Sequence, residues 1–181
     1  HLWGIEDPAL APLIGHEVHV YDLARFYAGE VEEIFAFGHS HTEEQHGLSV
    51  AARFASGTIA TIASNCFEIW ESFDDYASIS GDGQYIVIDQ TAHLRYHTSD
   101  DWVSLPDYRI QNLAQTIRPN GRTPLKQEDI CGFRFELQHF ADCILSGRPA
   151  SPSLEDAKKA LQFAYAVYES AQTGSPVKLG G

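Results

Sequence analysis

Residues 48–66 read LSVAARFASGTIATIASNC. Small and β-branched apolar residues fill 48–54 and 58–66, and Ala55-Ser56-Gly57 lies between them. A short glycine-bearing connection between two such runs predicts a β-hairpin. Its strands are then antiparallel neighbours. The pattern recurs downstream, where residues 76–80 and 84–89 flank the turn Gly81-Asp82-Gly83. Residues 92–97 and 102–105 add two short strands. Upstream, residues 31–37 form another, leading into a polar stretch at 38–47. Six to eight strands thus follow one another as a meander.

Helices bracket this block. Residues 1–14 hold Pro8 and Pro12 without a clear period and read as an entering loop. Over 17–28, Val20, Leu23, Ala24 and Tyr27 recur at helical spacing, and Gly29 supplies a stop. Beyond a loop at 118–123, Phe133, Leu137, Phe140, Ala141, Ile144 and Leu145 mark a second helix, ended by Ser146-Gly147. Ser153, with Asp156 three residues on, opens a third helix in the manner of a capping box. Its apolar stripe is Ala157, Leu161, Ala164, Tyr165 and Tyr168, and it stops near Gly174. Residues 176–179 are a last short strand. Segregated strands and helices define an α+β fold: residues 1–181 form one domain, an open, mostly antiparallel β-sheet with helices packed on one face.

Composition narrows the class. The chain has 181 residues, 44% hydrophobic and 20% charged, the profile of a folded domain. A formal charge of −13 argues against nucleic acid, which needs a basic surface. No apolar run reaches the roughly 18 residues of a membrane span, and no signal-peptide pattern opens the chain, so a cytoplasmic location is expected. Cys66, Cys131 and Cys143 are too few and too widely spaced for a disulfide framework or a zinc knuckle, and are expected to be reduced and buried. The sequence holds no Met and starts at His1, which reads as a piece of a longer gene product.

The densest polar run is Gly15-His16-Glu17-Val18-His19-Val20-Tyr21-Asp22. His19 and Asp22 lie three apart, within reach on one helix face. A carboxylate beside an imidazole orients it as a general acid or base; the same spacing also fits a surface carboxylate and a satisfied polar histidine. His16 and His19 are one residue short of the HExxH zinc pattern, and with Asp22 they suggest a metal-dependent hydrolase as a rival chemistry. His39, His41 and His46 form a second imidazole group. No GxSxG elbow, phosphate loop or GxGxxG run is present. Phe67, Trp70, Phe73 and Tyr76 fit either a sugar cleft or plain packing.

His19-x-x-Asp22, with Leu23-Ala24-Arg25-Phe26 and Gly29-Glu30, resembles the glucose–fructose oxidoreductase, inositol dehydrogenase and MocA (Gfo/Idh/MocA) family at the start of its C-terminal domain. The likeness continues through Arg53-Phe54-Ala55-Ser56-Gly57-Thr58-Ile59-Ala60 and Ser78-Ile79-Ser80-Gly81-Asp82-Gly83. It closes with the stretch from Phe135 to Ile144, Gly147-Arg148-Pro149 and Ser153-Leu154-Glu155-Asp156-Ala157. The resemblance implies a substrate-binding and oligomerisation domain, with substrate held at the junction with an N-terminal Rossmann domain absent from this chain. That domain would bring the NAD or NADP and a lysine beside the reacting carbon. His19 maps onto the family's acid/base histidine, with Asp22, His16 and Glu17 as substrate-binding or supporting residues. The family often places Asp four residues before this histidine, where this chain has Gly15. Glu17, two residues on, points about 200° away on a helix and does not replace it.

Two expectations complete the reading. The chain alone binds no nicotinamide cofactor and is inactive; its parent is an NAD(P)-dependent oxidoreductase acting on a sugar, a polyol or a derivative. Ile34-Phe35-Ala36-Phe37 and Tyr85-Ile86-Val87-Ile88 are apolar on both sides, so the sheet face away from the helices is expected to pair with another copy as a homodimer or tetramer. Phe35 or Phe37, and Tyr85 or Ile86, would lie at or near that interface. A domain kept for assembly alone is the non-catalytic alternative.

Overall fold

The computed structural model describes residues 4–7, 9–42, 45–65, 76–89, 93–97, 102–104 and 132–180. The chain divides into two compact units, one of residues 1–69 with 151–181, the other of residues 70–150. The predicted loop at 118–123, the aromatic positions 67, 70 and 73, Cys66 and Cys131 lie outside the described residues.

The first unit starts with a π-helical turn, Leu13–Glu17, running directly into α1, Val18–Ala28. Residues 11–14, expected as part of a loop, are therefore helical; Pro12 stands at the helix start, where its missing N–H costs nothing. Gly29, at φ 88°, ends α1 in a conformation that side chains disfavour. Next come β1 (Val31–Thr42), β2 (Gln45–Phe54) and β3 (Ile59–Asn65). The polar stretch 38–47 is thus mostly strand, because pairing with the partner strand continues through it from Gly38↔Leu48 to Thr42↔Gln45. After the second unit the chain returns as α3 (Leu154–Thr173) and β8 (Val177–Lys178). The sheet order is β3-β2-β1-β8, antiparallel throughout.

The pleat of this sheet separates two surfaces. Ile34, Ala36, Val50, Ala52 and Ile62 point to one side and are buried, with Phe163, Ala164, Ala166 and Val167 of α3 in the same core. Tyr21 of α1 stacks on Phe163 with ring centroids 4.8 Å apart. The α3 stripe is therefore Ala160, Phe163, Ala164, Val167 and Ser170; of the stripe read from the sequence Ala164 lies in the core and Tyr168 packs against it, while Leu161 and Tyr165 face outward. Gly38 shows how closely α3 approaches: a Cβ there would stand 3.3 Å from Leu48 Cδ1 and 3.4 Å from Ala171 Cβ. On the opposite side Phe37, Ser49, Ala51, Arg53, Ile59, Thr61 and Ala63 are exposed, with Phe35 half-buried.

Two polar devices close this unit. The capping box is real: Ser153 N–H donates to Asp156 Oδ2 at 2.7 Å, and Asp156 N–H donates to Ser153 Oγ at 3.3 Å. β8 pairs only with Glu33 and Ile34, leaving the next inward amide of β1 without a strand partner. Ser170 Oγ accepts that Ala36 N–H at 2.9 Å and donates to the Ser175 carbonyl at 2.8 Å.

The second unit carries the sheet β4-β5-β6-β7, made of Tyr76–Gly81, Gln84–Asp89, His93–His97 and Trp102–Ser104, and the helix α2, Phe133–Ser146. Asp82 and Gly83 both have positive φ, 48° and 74°, the mirror-image hairpin turn that Asp-Gly favours. Val87 is buried, while Ile79 and Ile86 are partly exposed. In α2 only Cys143 is buried among the described residues, as a free thiol, and the predicted apolar stripe lies exposed. No helix among the described residues is long and apolar enough to cross a membrane.

Candidate functional site

The site is built on the junction between the π-turn and α1. An inward-facing ridge runs along it at four-residue spacing: Glu17, Tyr21 and Arg25, all buried. All three have polar ends, so a search for apolar periodicity passes over them. His16 and His19 flank this ridge on the solvent side.

Arg25 takes up the carboxylate expected beside His19. Its Nη1 donates to Asp22 Oδ1 at 3.0 Å and to the Asp156 carbonyl at 3.0 Å, and its Nη2 donates to Glu30 Oε1 at 3.2 Å. Lys159 Nζ donates to the same Glu30 oxygen at 2.9 Å. A guanidinium with only 6% side-chain exposure must be paired, and Asp22 lies at i−3 on the same helix. The spacing argument for an Asp22–His19 contact thus meets a stronger competitor. Among the described residues His19 has no hydrogen-bond or ion-pair partner.

The carboxylate that does meet an imidazole is Glu17. Its Oε1 lies 3.4 Å from His46 Nε2, contributed by β2, and 3.8 Å from His16 Nδ1. Burial raises the Glu17 pKa, but the polar side chains of His16, His46 and Ser64 around it and the nearby His16 charge more than offset it. The group is held at about 2 and is ionised. Burial, and then the Glu17 charge, push the Tyr21 phenol above its ordinary range. Glu17 Oε2 and Tyr21 Oη are both buried without a hydrogen-bond partner among the described residues.

Of the imidazole group His39, His41 and His46, the strand separates His39 from His46. His39 stands opposite Gly47 while His46 stands opposite Ser40, so His39 and His46 point to opposite faces. Among the described residues no three His, Cys, Asp or Glu side chains gather as metal ligands. Tyr76, the described member of the aromatic run, is exposed, with its hydroxyl 3.4 Å from that of Tyr85. Every strand pairing is antiparallel, so the described residues hold no βαβ unit whose helix start would cradle a dinucleotide pyrophosphate.

This fold and the motifs it carries define a C-terminal oxidoreductase domain. Residues 4–179 match the oxidoreductase family C-terminal alpha/beta domain of the Gfo/Idh/MocA group, and the chain belongs to that family. No curated protein sequence matches it. Among solved structures, an oxidoreductase from Agrobacterium radiobacter in complex with NAD+, L-tartaric acid and magnesium is similar at TM-score 0.70 and 22% identity, over 90% of this chain and 47% of that one. A myo-inositol dehydrogenase from Corynebacterium glutamicum gives TM-score 0.61 and 22% identity, over 96% and 51%. The aldose-aldose oxidoreductase of Caulobacter crescentus, complexed with glycerol, gives 0.68 and 21%, over 97% and 52%. The chain spans about half the length of these structures.

Proposed function

We propose that this chain is the substrate-binding and oligomerisation domain of an NAD(P)-dependent oxidoreductase acting on a sugar, polyol or derivative. The observation that carries the reading is the family match over residues 4–179, with its His19-x-x-Asp22 motif on an α1 that leaves His19 open to solvent. The names of the similar structures support the substrate class: myo-inositol dehydrogenase and aldose-aldose oxidoreductase act on polyhydroxylated molecules. The nicotinamide would sit on an N-terminal Rossmann domain of the parent protein, since the described residues here offer no cradle for it. When bound there it would accept or supply hydride.

This chain's own part is to hold the substrate hydroxyl. His19, exposed on α1, is the family-position acid/base, and Asp22 supports it indirectly by anchoring Arg25 and the helix end. Location in the cytoplasm and association through the open face of the first sheet belong to the same reading. The decisive experiment is a parent protein with both domains, assayed for nicotinamide reduction with a panel of polyols and sugars. His19→Gln should lower turnover by about 10²- to 10⁴-fold in a folded protein. Full turnover in that variant would remove His19 from the chemistry. Calorimetry of this chain with NADH should show no saturable micromolar binding.

A further inference from the structure

We propose that the outward face of α1, where Leu23, Phe26 and Tyr27 stand beside His19, is the docking surface for the nucleotide-binding domain of the same parent polypeptide; the proposal rests on the two-domain reading above. A surface helix ordinarily has one apolar stripe, turned to the core, and polar residues on the other side. α1 departs from that rule. Its inward side carries the charged Arg25 along with Tyr21, and both are buried. Its outward side carries Leu23, Phe26 and Tyr27, which are 44%, 80% and 49% exposed.

These three form one face with His19. At about 100° per residue, His19, Leu23, Phe26 and Tyr27 fall within a sector about 100° wide, the width of stripe that a helix normally buries. The rings of Phe26 and Tyr27 meet edge to face with centroids 5.2 Å apart, so the aromatic part of the face is a single packed unit. Asp22 and Glu30, partly exposed and both bound to Arg25, stand at its margin. An apolar centre with a polar rim is the make-up of a protein contact surface.

Two features select the occupant. The first is continuity with the site: a substrate held at His19 must also reach the nicotinamide, with reacting atoms about 3–3.5 Å apart. The domain that holds the cofactor therefore comes up against this side of α1, and the apolar residues lie one and two turns further along it. The second is size. A free partner generally needs a patch of about 20–30 residues, and three side chains fall far short of that. A domain on the same polypeptide meets the face at an effective concentration of about a millimolar, and a small apolar pad then suffices. The broader apolar surface for a second copy is the open face of the first sheet, around Phe37.

Hydroxyl-radical footprinting read by mass spectrometry tests the assignment on this chain and on the two-domain parent. Labelling of Phe26 and Tyr27 should be strong in this chain and about tenfold lower in the parent, as their rings pass from solvent into an interface core. The protection should not change on dilution. Phe26→Glu in the parent should restore labelling of Tyr27 and lower turnover, while the same substitution should leave the thermal midpoint of this chain unchanged. Equal labelling in chain and parent overturns the proposal, as does protection already present in this chain. Protection that fades on dilution assigns the face to a second copy and overturns it too. A parent that reduces nicotinamide with a polyol while Phe26 stays fully labelled removes the docking surface and keeps the oxidoreductase reading. Protection in a parent inert toward every polyol keeps the docking surface and removes that reading.

Discussion

Arg25 and Asp156 are 131 residues apart in sequence, and the guanidinium of the first donates to the backbone carbonyl of the second at 3.0 Å. The contact ties the end of α1 to the start of α3, beside the capping box that Ser153 and Asp156 form. Arg25→Met should therefore lower stability by about 1–3 kcal/mol, since it removes the hydrogen bonds of a buried charged donor. Asp22→Asn should cost under about 1 kcal/mol, because Asp22 is 41% exposed and water can replace its partner. Urea unfolding of the two variants measures the difference; equal losses would contradict this assignment.

Acid should weaken the fold through Glu17. Its folded pKa, about 2, lies below the ordinary value of 4.5. Its contribution is present above about pH 4.5 and is lost as pH falls toward 2. Thermal midpoints measured from pH 6 to pH 2.5 should fall for the wild type. Glu17→Gln should start lower and fall less steeply. Parallel curves would show that this carboxylate is not ionised in the folded protein.

Ser170→Ala should cost about 1–3 kcal/mol, because it strands the buried Ala36 N–H that Ser170 Oγ receives. Hydrogen exchange at the Ala36 amide should accelerate more than at Val50, whose place in the sheet interior is unaffected. Uniform acceleration across the sheet would point to global destabilisation alone.

The face bearing Phe37, Ala51, Ile59 and Ala63 should bury itself against another copy. Sedimentation equilibrium at micromolar concentration should give a dimer or tetramer, and Phe37→Glu should shift it toward monomer. Phe37 is 67% exposed in the single chain, so the substitution disturbs no core. A single 20.1 kDa species in the wild type would refute the association.

The local order of the chain was legible from residues 48–66 outward, because turns, stops and caps act over a few positions. Gly57, Asp82-Gly83, Gly147 and the Ser153–Asp156 box stand where the sequence places turns and helix ends. The division into two sheets, and the pairing of β8 with β1, came from tertiary structure, since neither depends on neighbours in sequence.

The site separates the two kinds of information more sharply. Sequence alone determined the polar run 15–22, its helix and the family it belongs to. Only the fold decided which carboxylate meets which imidazole. Spacing put Asp22 within reach of both His19 and Arg25, and a buried guanidinium requires a counter-charge more than an exposed imidazole does. Likewise Glu17 and His46 stand 29 residues apart on different elements, so no local periodicity could pair them. They meet because the fold brings His46 of β2 against Glu17 of the π-turn. There, desolvation makes an unpaired carboxylate costly, and His46 supplies a partner for Glu17 Oε1.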